Sequence, residues 1–292
     1  NKPTILKSIP IHNEFHPSII NLKNEYDILD YLKSDLILKV YAFQRYSNGF
    51  FLAYEDSGGI SLKEYANSNK IPLDKFYQIS ISLAEILSEI HRKKVIHKDI
   101  KPENIIINPD TMDVRLIDFG ISTRLSKEET KWTAANVLEG SIQYISPEQT
   151  GRMNRSVDYR SDFYSLGVTF YQMLTGKLPF TNTDLLELVH SHLAKTPPLA
   201  HEIDSSIPIS ISKIVEKLMA KTAENRYQTA LGLKYDLELA RKEDTSKLIV
   251  LGSKDLSDEF KITQKLYGRE EDILGLIQAF AEVHESSHSK MV

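Results

Sequence analysis

The spacing of apolar residues along this chain changes character near residue 60. Before that point, residues 3–7 read as a strand. Ile37–Arg45 and Phe50–Glu55 read as two more, joined by a Ser47-Asn48-Gly49 turn. One helix interrupts them: Pro17 opens it, and Ile20, Leu22, Tyr26, Leu29 and Leu32 recur at helical spacing. Gly58-Gly59 then breaks the pattern. Beyond Leu62 nearly everything is helical, beginning with Leu73–Lys93 and its stripe of Phe76, Ile79, Leu83, Ile86, Leu87 and Ile90. The exception is a hairpin, Ile105–Asn108 and Val114–Ile117, turning at Pro109-Asp110. The order predicts an α+β fold, with a small sheet-rich part ahead of a larger helical one.

Composition narrows the function classes. A chain of 292 residues can bury a real core, and a net charge of −4 offers no basic field for nucleic acid or an anionic membrane. No apolar run reaches the roughly 20 residues of a membrane span, and no signal peptide is visible. The absence of cysteine excludes disulfides, thiolate metal sites and a cysteine nucleophile, and fits a cytoplasmic protein. The chain starts at Asn1 rather than Met and reads as a fragment.

The chemistry sits in His97-Lys98-Asp99-Ile100-Lys101-Pro102-Glu103-Asn104, followed 14 residues after Asn104 by Asp118-Phe119-Gly120. Val95-Ile96 before the loop and Ile105–Ile107 after it bury both flanks and leave the polar residues at a cleft. An Asp, an Asn and a second Asp at the ends of short apolar strands are what phosphoryl transfer from a metal-bound nucleotide requires. Any one of them alone would read as an ordinary polar turn. In register, they resemble the eukaryotic-type Ser/Thr protein kinase family, and the likeness covers most of the chain. That resemblance implies a bilobal kinase fold with a truncated β-rich first lobe and a helical second lobe.

The resemblance also implies roles. Asp99 would be the catalytic base, and Lys101 would neutralise the transferring γ-phosphate of ATP and mark Ser/Thr specificity. Asn104 and Asp118 would hold Mg2+. His97 would pack with Phe119 and Leu29 as a structural group, and Gly120 would let the backbone swing. Lys7 resembles the lysine that ends a Val-Ala-Ile-Lys strand. Glu25, 18 residues on and mid-helix, is its expected ion-pair partner, with Glu14 a competitor in the preceding loop. Ile5 would roof the adenine pocket, Ile106 floor it and Tyr54 guard it, while the backbones of Glu55 and Ser57 would bind the base edge. Residues 118–148 would form the activation segment. There Ser141 would hydrogen-bond Asp99 and Lys101, and Ser146 would be a neutral exchange for alanine. Asp162 would brace the catalytic loop, and Arg226 would pair with Glu148. His190 and His192, two apart on a helix, read as a solvated face rather than a metal site.

Three features depart from the pattern or extend it. The glycine-rich phosphate loop and first two strands would precede Asn1, leaving the strand at residues 3–7 with an unpaired edge. Lys98 stands where arginine is usual. Residues 266–271, Leu-Tyr-Gly-Arg-Glu-Glu, look like the entry to an AAA-type ATPase module. With the 149–155 stretch they are similar to large bacterial signalling proteins that join a kinase to ATPase, sensor and histidine kinase domains. The expected organisation is 1–57 partial first lobe, 58–243 second lobe, 244–263 linker and 264–292 the start of that module. The expected function is phosphorylation of Ser/Thr in protein substrates. The alternative is a catalytically weak nucleotide-binding module that regulates the downstream domains.

Lysine cannot fork onto a phosphate as arginine does. Phosphorylating Thr130 or Thr133 should therefore raise activity only weakly. A strong rise that Lys98→Ala abolishes would contradict this.

Overall fold

Three antiparallel strands and one helix, β1 (Thr4–Pro10), α1 (Pro17–Leu32), β2 (Val40–Tyr46) and β3 (Gly49–Glu55), make the first lobe. The structure is a computed structural model that describes residues 3–10, 17–46, 48–67, 70–124, 142–153, 155–242 and 250–256. The chain divides into a unit Asn1–Leu256 and a unit Ser257–Val292, and the second lies outside the described residues. Strand order is β1-β3-β2, so β1 is an edge, with Lys7 opposite Leu52 and Ile5 opposite Tyr54. β2 begins later than the sequence pattern predicts. Ile37, read as strand, instead makes a parallel bridge to Leu116 in the second lobe and is buried there. Phe43 stacks on Phe50 at 5.2 Å and meets Tyr26 at 6.0 Å, which fastens α1 to the sheet.

The buried face of α1 is Ile19, Leu22, Glu25, Ile28, Leu29 and Leu32. Ile20, placed in the apolar stripe on spacing, is 62% exposed. Leu22, Leu29 and Leu32 of the expected stripe are buried and Tyr26 is half-buried, so Ile20 alone leaves it, lying on the side of the helix away from Leu22 and Glu25.

The second lobe contains β4 (Ile60–Ser61), α2 (Leu62–Ala66), α3 (Leu73–Arg92), β5 (Val95–Ile96), β6 (Ile105–Ile107), β7 (Val114–Leu116) and β8 (Thr123–Arg124). It continues with α4 (Arg160–Thr175), α5 (Leu185–Ala194), α6 (Ala200–Ile203), α7 (Ile209–Leu218) and α8 (Ala230–Lys242). Every member of the predicted α3 stripe is buried. From Arg160 to Leu174, α4 is buried at every position except Gln172, so it forms the centre of the lobe rather than one side of it. Two small sheets, β4-β6-β7 and β5-β8, hold the ends of the 97–104 loop. Among the described residues, no helix is long and apolar enough to cross a membrane.

Residues 250–256, expected to lie in a polar linker, instead fold back onto α8. The Asp255 carboxylate accepts from Gln228 N, Thr229 N and Thr229 Oγ1 at 2.8–2.9 Å and so holds Thr229, whose Oγ1 caps α8 by accepting from Gly232 N at 2.9 Å. Gly252 N donates to Asp236 Oδ2 at 2.7 Å. This segment explains a glycine inside α8, because a Cβ at Gly232 would stand 2.5 Å from Asp255 Oδ1 and 2.7 Å from Asp255 Cα.

Glycine to alanine inside a helix ordinarily stabilises by about 0.5–1 kcal/mol. Gly232→Ala should instead lower the melting temperature, and Asp255→Ala should cost about 1 kcal/mol or more through the lost hydrogen bonds to Gln228 and Thr229. A Gly232→Ala protein more stable than its parent in thermal unfolding would contradict the packing.

Candidate active site

The loop 97–104 is held from three sides. At its start, the fully buried Asp162 on α4 accepts from His97 N at 3.0 Å and Lys98 N at 2.8 Å, and meets His91 Nε2 at 2.8 Å. That clamp fixes Lys98 in the left-handed backbone region, φ +70°. His97 is buried edge-on against Phe119, ring centroids 4.7 Å apart. Its Nδ1 accepts from Asp99 N at 3.2 Å, so the ring proton lies on Nε2, which donates to Ile117 O at 3.0 Å. Both nitrogens are used within the fold. Leu29 and Phe119 share the same buried core.

The Asp99 carboxylate is divided. Its Oδ2 receives Lys101 Nζ at 2.6 Å and Asn104 Nδ2 at 2.9 Å, and the same Nδ2 donates to the Asp99 carbonyl at 2.8 Å. Its Oδ1 is buried and has no hydrogen-bond partner among the described residues. Using the Asn104 amide nitrogen in this way turns the amide oxygen away from Asp99.

Lys7 on β1 crosses to the other lobe. Its Nζ lies 2.8 Å from Glu25 Oε2 and 3.0 Å from Asp118 Oδ1. Glu25 is buried, while Lys7 and Asp118 are each about 40% exposed, so the pair opens to solvent on one side only. Burial alone would lower the Lys7 pKa, but the two carboxylates outweigh it and raise it above its ordinary value. Burial would likewise raise Asp118, and Lys7 outweighs it, so Asp118 is held below its ordinary value and stays ionised. Asp118 has φ +66°. Glu14, the competing partner, lies outside the described residues.

At the outer end, Tyr54 is buried on β3, and Ile5 across from it is 48% exposed. Ile106 is half-buried on β6 against Gly59. Glu55 N donates to Lys39 O, and Ser57 O accepts from Asn108 Nδ2 at 3.3 Å, so part of the expected base-binding backbone is engaged by the chain itself.

Away from the cleft, Arg226 Nη1 and Nη2 lie 2.6 and 2.9 Å from the two Glu148 oxygens, and Ser161 Oγ donates to Glu148 at 2.7 Å. Ser146 is not a neutral exchange for alanine. Its hydroxyl donates to Gln149 Oε1 at 2.8 Å, and Gln149 Nε2 donates to the Lys98 carbonyl at 2.8 Å. The histidine reading also needs correction. His190 is exposed, but His192 is fully buried, 3.0 Å from Tyr164 Oη and edge-on to Phe180, and burial pushes its pKa down to about 4. Residues two apart on a helix face different ways, and α5 turns the second one into the core. Ser141, Thr130 and Thr133 lie outside the described residues.

Sequence reasoning missed His91, Gln149 and Asn24, whose amide faces the backbone after Asp118. Each is a single polar residue far in number from what it binds, with no flanking motif. Only Gln149 carried a cue, as the residue directly after Glu148.

Comparison with known proteins adds the family. Residues 1–236 match the protein kinase domain. Hybrid signal transduction histidine kinase G of Dictyostelium discoideum is 35% identical over 61% of this chain and 7% of its own length. Serine/threonine-protein kinase PrkC of Bacillus subtilis is 32% identical over 71% of this chain and 32% of its own. Serine/threonine-protein kinase PknB of Mycobacterium leprae is 33% identical over 64% and 30%. The chain thus spans a third or less of the length of these relatives.

Removing Arg226 would leave Glu148 buried and unpaired, and Arg226→Met should cost about 3–5 kcal/mol in chemical denaturation. Burial alone would raise Glu148, but Arg226 and Ser161 outweigh it and hold its pKa below the ordinary 4.5. The pair's contribution is therefore present above about pH 4.5 and lost as pH falls below it. An Arg226→Met protein whose acid-side stability slope equals the parent's would overturn that assignment.

Proposed function

We propose, from the premise that this chain belongs to the protein kinase family, that it transfers the γ-phosphate of ATP to Ser and Thr hydroxyls of protein substrates. It is a Ser/Thr-type kinase domain, like the relatives that carry that name. Lys101, two residues after Asp99, supports the same choice.

The observation that carries the reading is the divided carboxylate of Asp99. Lys101 and Asn104 fix Oδ2, which leaves the buried, unpartnered Oδ1 to receive a hydrogen bond from an incoming hydroxyl. As the substrate oxygen bonds to the γ-phosphorus, its proton passes to Asp99 and the bond to the β,γ-bridging oxygen breaks, releasing ADP. Lys101 sits beside Asp99 to offset the phosphoryl charge. Lys7, anchored by Glu25, offers its ammonium to the α- and β-phosphates, and Ile106 and the Tyr54–Ser57 stretch would take the base. No covalent intermediate is needed, because positioning and charge neutralisation suffice.

The donor set suits Mg2+, which takes one or two protein oxygens and the rest from phosphate and water. The ionised Asp118 carboxylate and the Asn104 amide oxygen, turned away from Asp99, would hold it, and bound there it would neutralise charge on the β- and γ-phosphates. We place the domain in the cytoplasm, where its nucleotide is available, within a longer signalling protein. The likeness of residues 266–271 to an ATPase entry and the length of the relatives support that placement.

The test uses the natural full-length protein with Mg-ATP and a generic Ser/Thr substrate. Asp99→Asn should cut transfer about 100-fold or more with nucleotide binding retained, and Lys7→Met should lower transfer by a similar order. Transfer unaffected by Asp99→Asn would refute the base assignment. Nucleotide binding without any transfer by the parent would favour a regulatory module instead.

A further inference from the structure

Residues 250–256 close the first unit, and one residue of the turn before α8, Gln228, joins them to the rest of the lobe. Every polar group of Gln228 is engaged. Its amide donates to Asp255 Oδ2 at 2.8 Å. Its carbonyl accepts from Tyr159 Oη at 2.7 Å, and its Oε1 accepts from Arg160 Nη1 at 2.9 Å. Its Nε2 turns inward on the carbonyls of Ala223, Glu224 and Arg226, 2.8–3.3 Å away. The same turn is tied to the start of α4 twice more. Arg226 Nη1 donates to Arg160 O at 3.0 Å, and Glu224 forks with Arg155 at 2.6 and 2.7 Å.

Arg155, Arg160 and Glu224 are nearly buried, and with Asp158 they form a matched set of two positive and two negative charges. Charges so far out of water leave their partners little play. Asp162, which braces the 97–104 loop, lies in the same first turn of α4. Residues 250–256 are held far more lightly. Val250 and Leu256 are each 78% exposed, and of the three apolar residues only Leu251 packs against the core. The rest of the hold is polar, from the Asp255 carboxylate and from the Gly252 amide on Asp236. Segments with so little apolar contact open at low cost.

We propose that residues 250–256 are a detachable strap that sets, through Gln228, how firmly the first turn of α4 holds the 97–104 loop. The chain continues at Ser257, so a pull from that side reaches Asp255 first, frees Gln228 and slackens the support of Asp162. That this makes the strap a control on phosphate transfer rests on the kinase reading of the cleft.

Amide hydrogen exchange in the natural full-length protein tests it. Asp255→Ala removes all three bonds to Gln228 and Thr229, while Asp255→Asn keeps one accepting oxygen. In Asp255→Ala, exchange should quicken about fivefold at Arg160, Ser161 and Asp162 and at His97 and Lys98, with α3 and the first-lobe strands changed less than about twofold. Asp255→Asn should show the same pattern at smaller size. Quickening at Gln228 and Thr229 alone would overturn the proposal, since the strap would then hold only its own turn. Uniform loss of protection in both variants would overturn it too, making Asp255 a general stabiliser. Exchange needs no phosphate transfer, so it judges the strap separately from the kinase reading, which Asp99→Asn tests.

Discussion

The site depends on one buried carboxylate, Asp162, and on the requirement that a charge taken out of water be fully hydrogen-bonded. Asp162 has no exposure, and three donors converge on it: two successive amides of the 97–104 loop and the His91 ring. A charged group in such a place is costly unless paired, and the same cost makes its geometry rigid. Because α4 is buried nearly all round, the anchor sits at the most constrained point of the lobe. From it the order of the loop follows: Lys98 turned left-handed, Asp99 oriented by the ring of His97, and Asn104 closing back on Asp99.

On that frame the molecule keeps a few unfavourable features where they are useful. One oxygen of Asp99, Oδ1, is buried and has no hydrogen-bond partner among the described residues. Lys98 and Asp118 both occupy backbone space that side chains rarely adopt. The surroundings hold each of them: Asp162 and Gln149 on Lys98, and Lys7 and the α1 face beside Asp118. The Glu148–Arg226 fork is the opposite case, with Ser161 completing the partners of a buried carboxylate. Strained backbone held in place by its neighbours is what a preorganised site requires.

The two lobes meet through charge as much as through apolar contact. Lys7 on an edge strand reaches both a first-lobe helix and a second-lobe turn, and Ile37 leaves its expected strand to bridge Leu116. The cleft therefore depends on the phase of α1. With Glu25 inward, Ile20 faces outward, and Asn21 and Asn24 lie against the backbone after Asp118.

Read alone, the sequence determined the class of fold, most element positions, and the loop and turn residues that meet at the cleft. These are legible because apolar periodicity and short polar motifs are local, and the energy they report comes from neighbours a few residues away. Lys7 with Glu25 could be named as a pair, with Glu14 left open as a rival. Tertiary structure alone decided which carboxylates Lys7 meets, the exposure of Ile20, the burial of His192, the return of residues 250–256 onto α8, and the grips of His91, Gln149 and Asn24. The reason is physical. A lone amide, ring or carboxylate has the same local preferences whether it faces water or a backbone carbonyl 95 residues away. Only the packed chain determines which of these it meets.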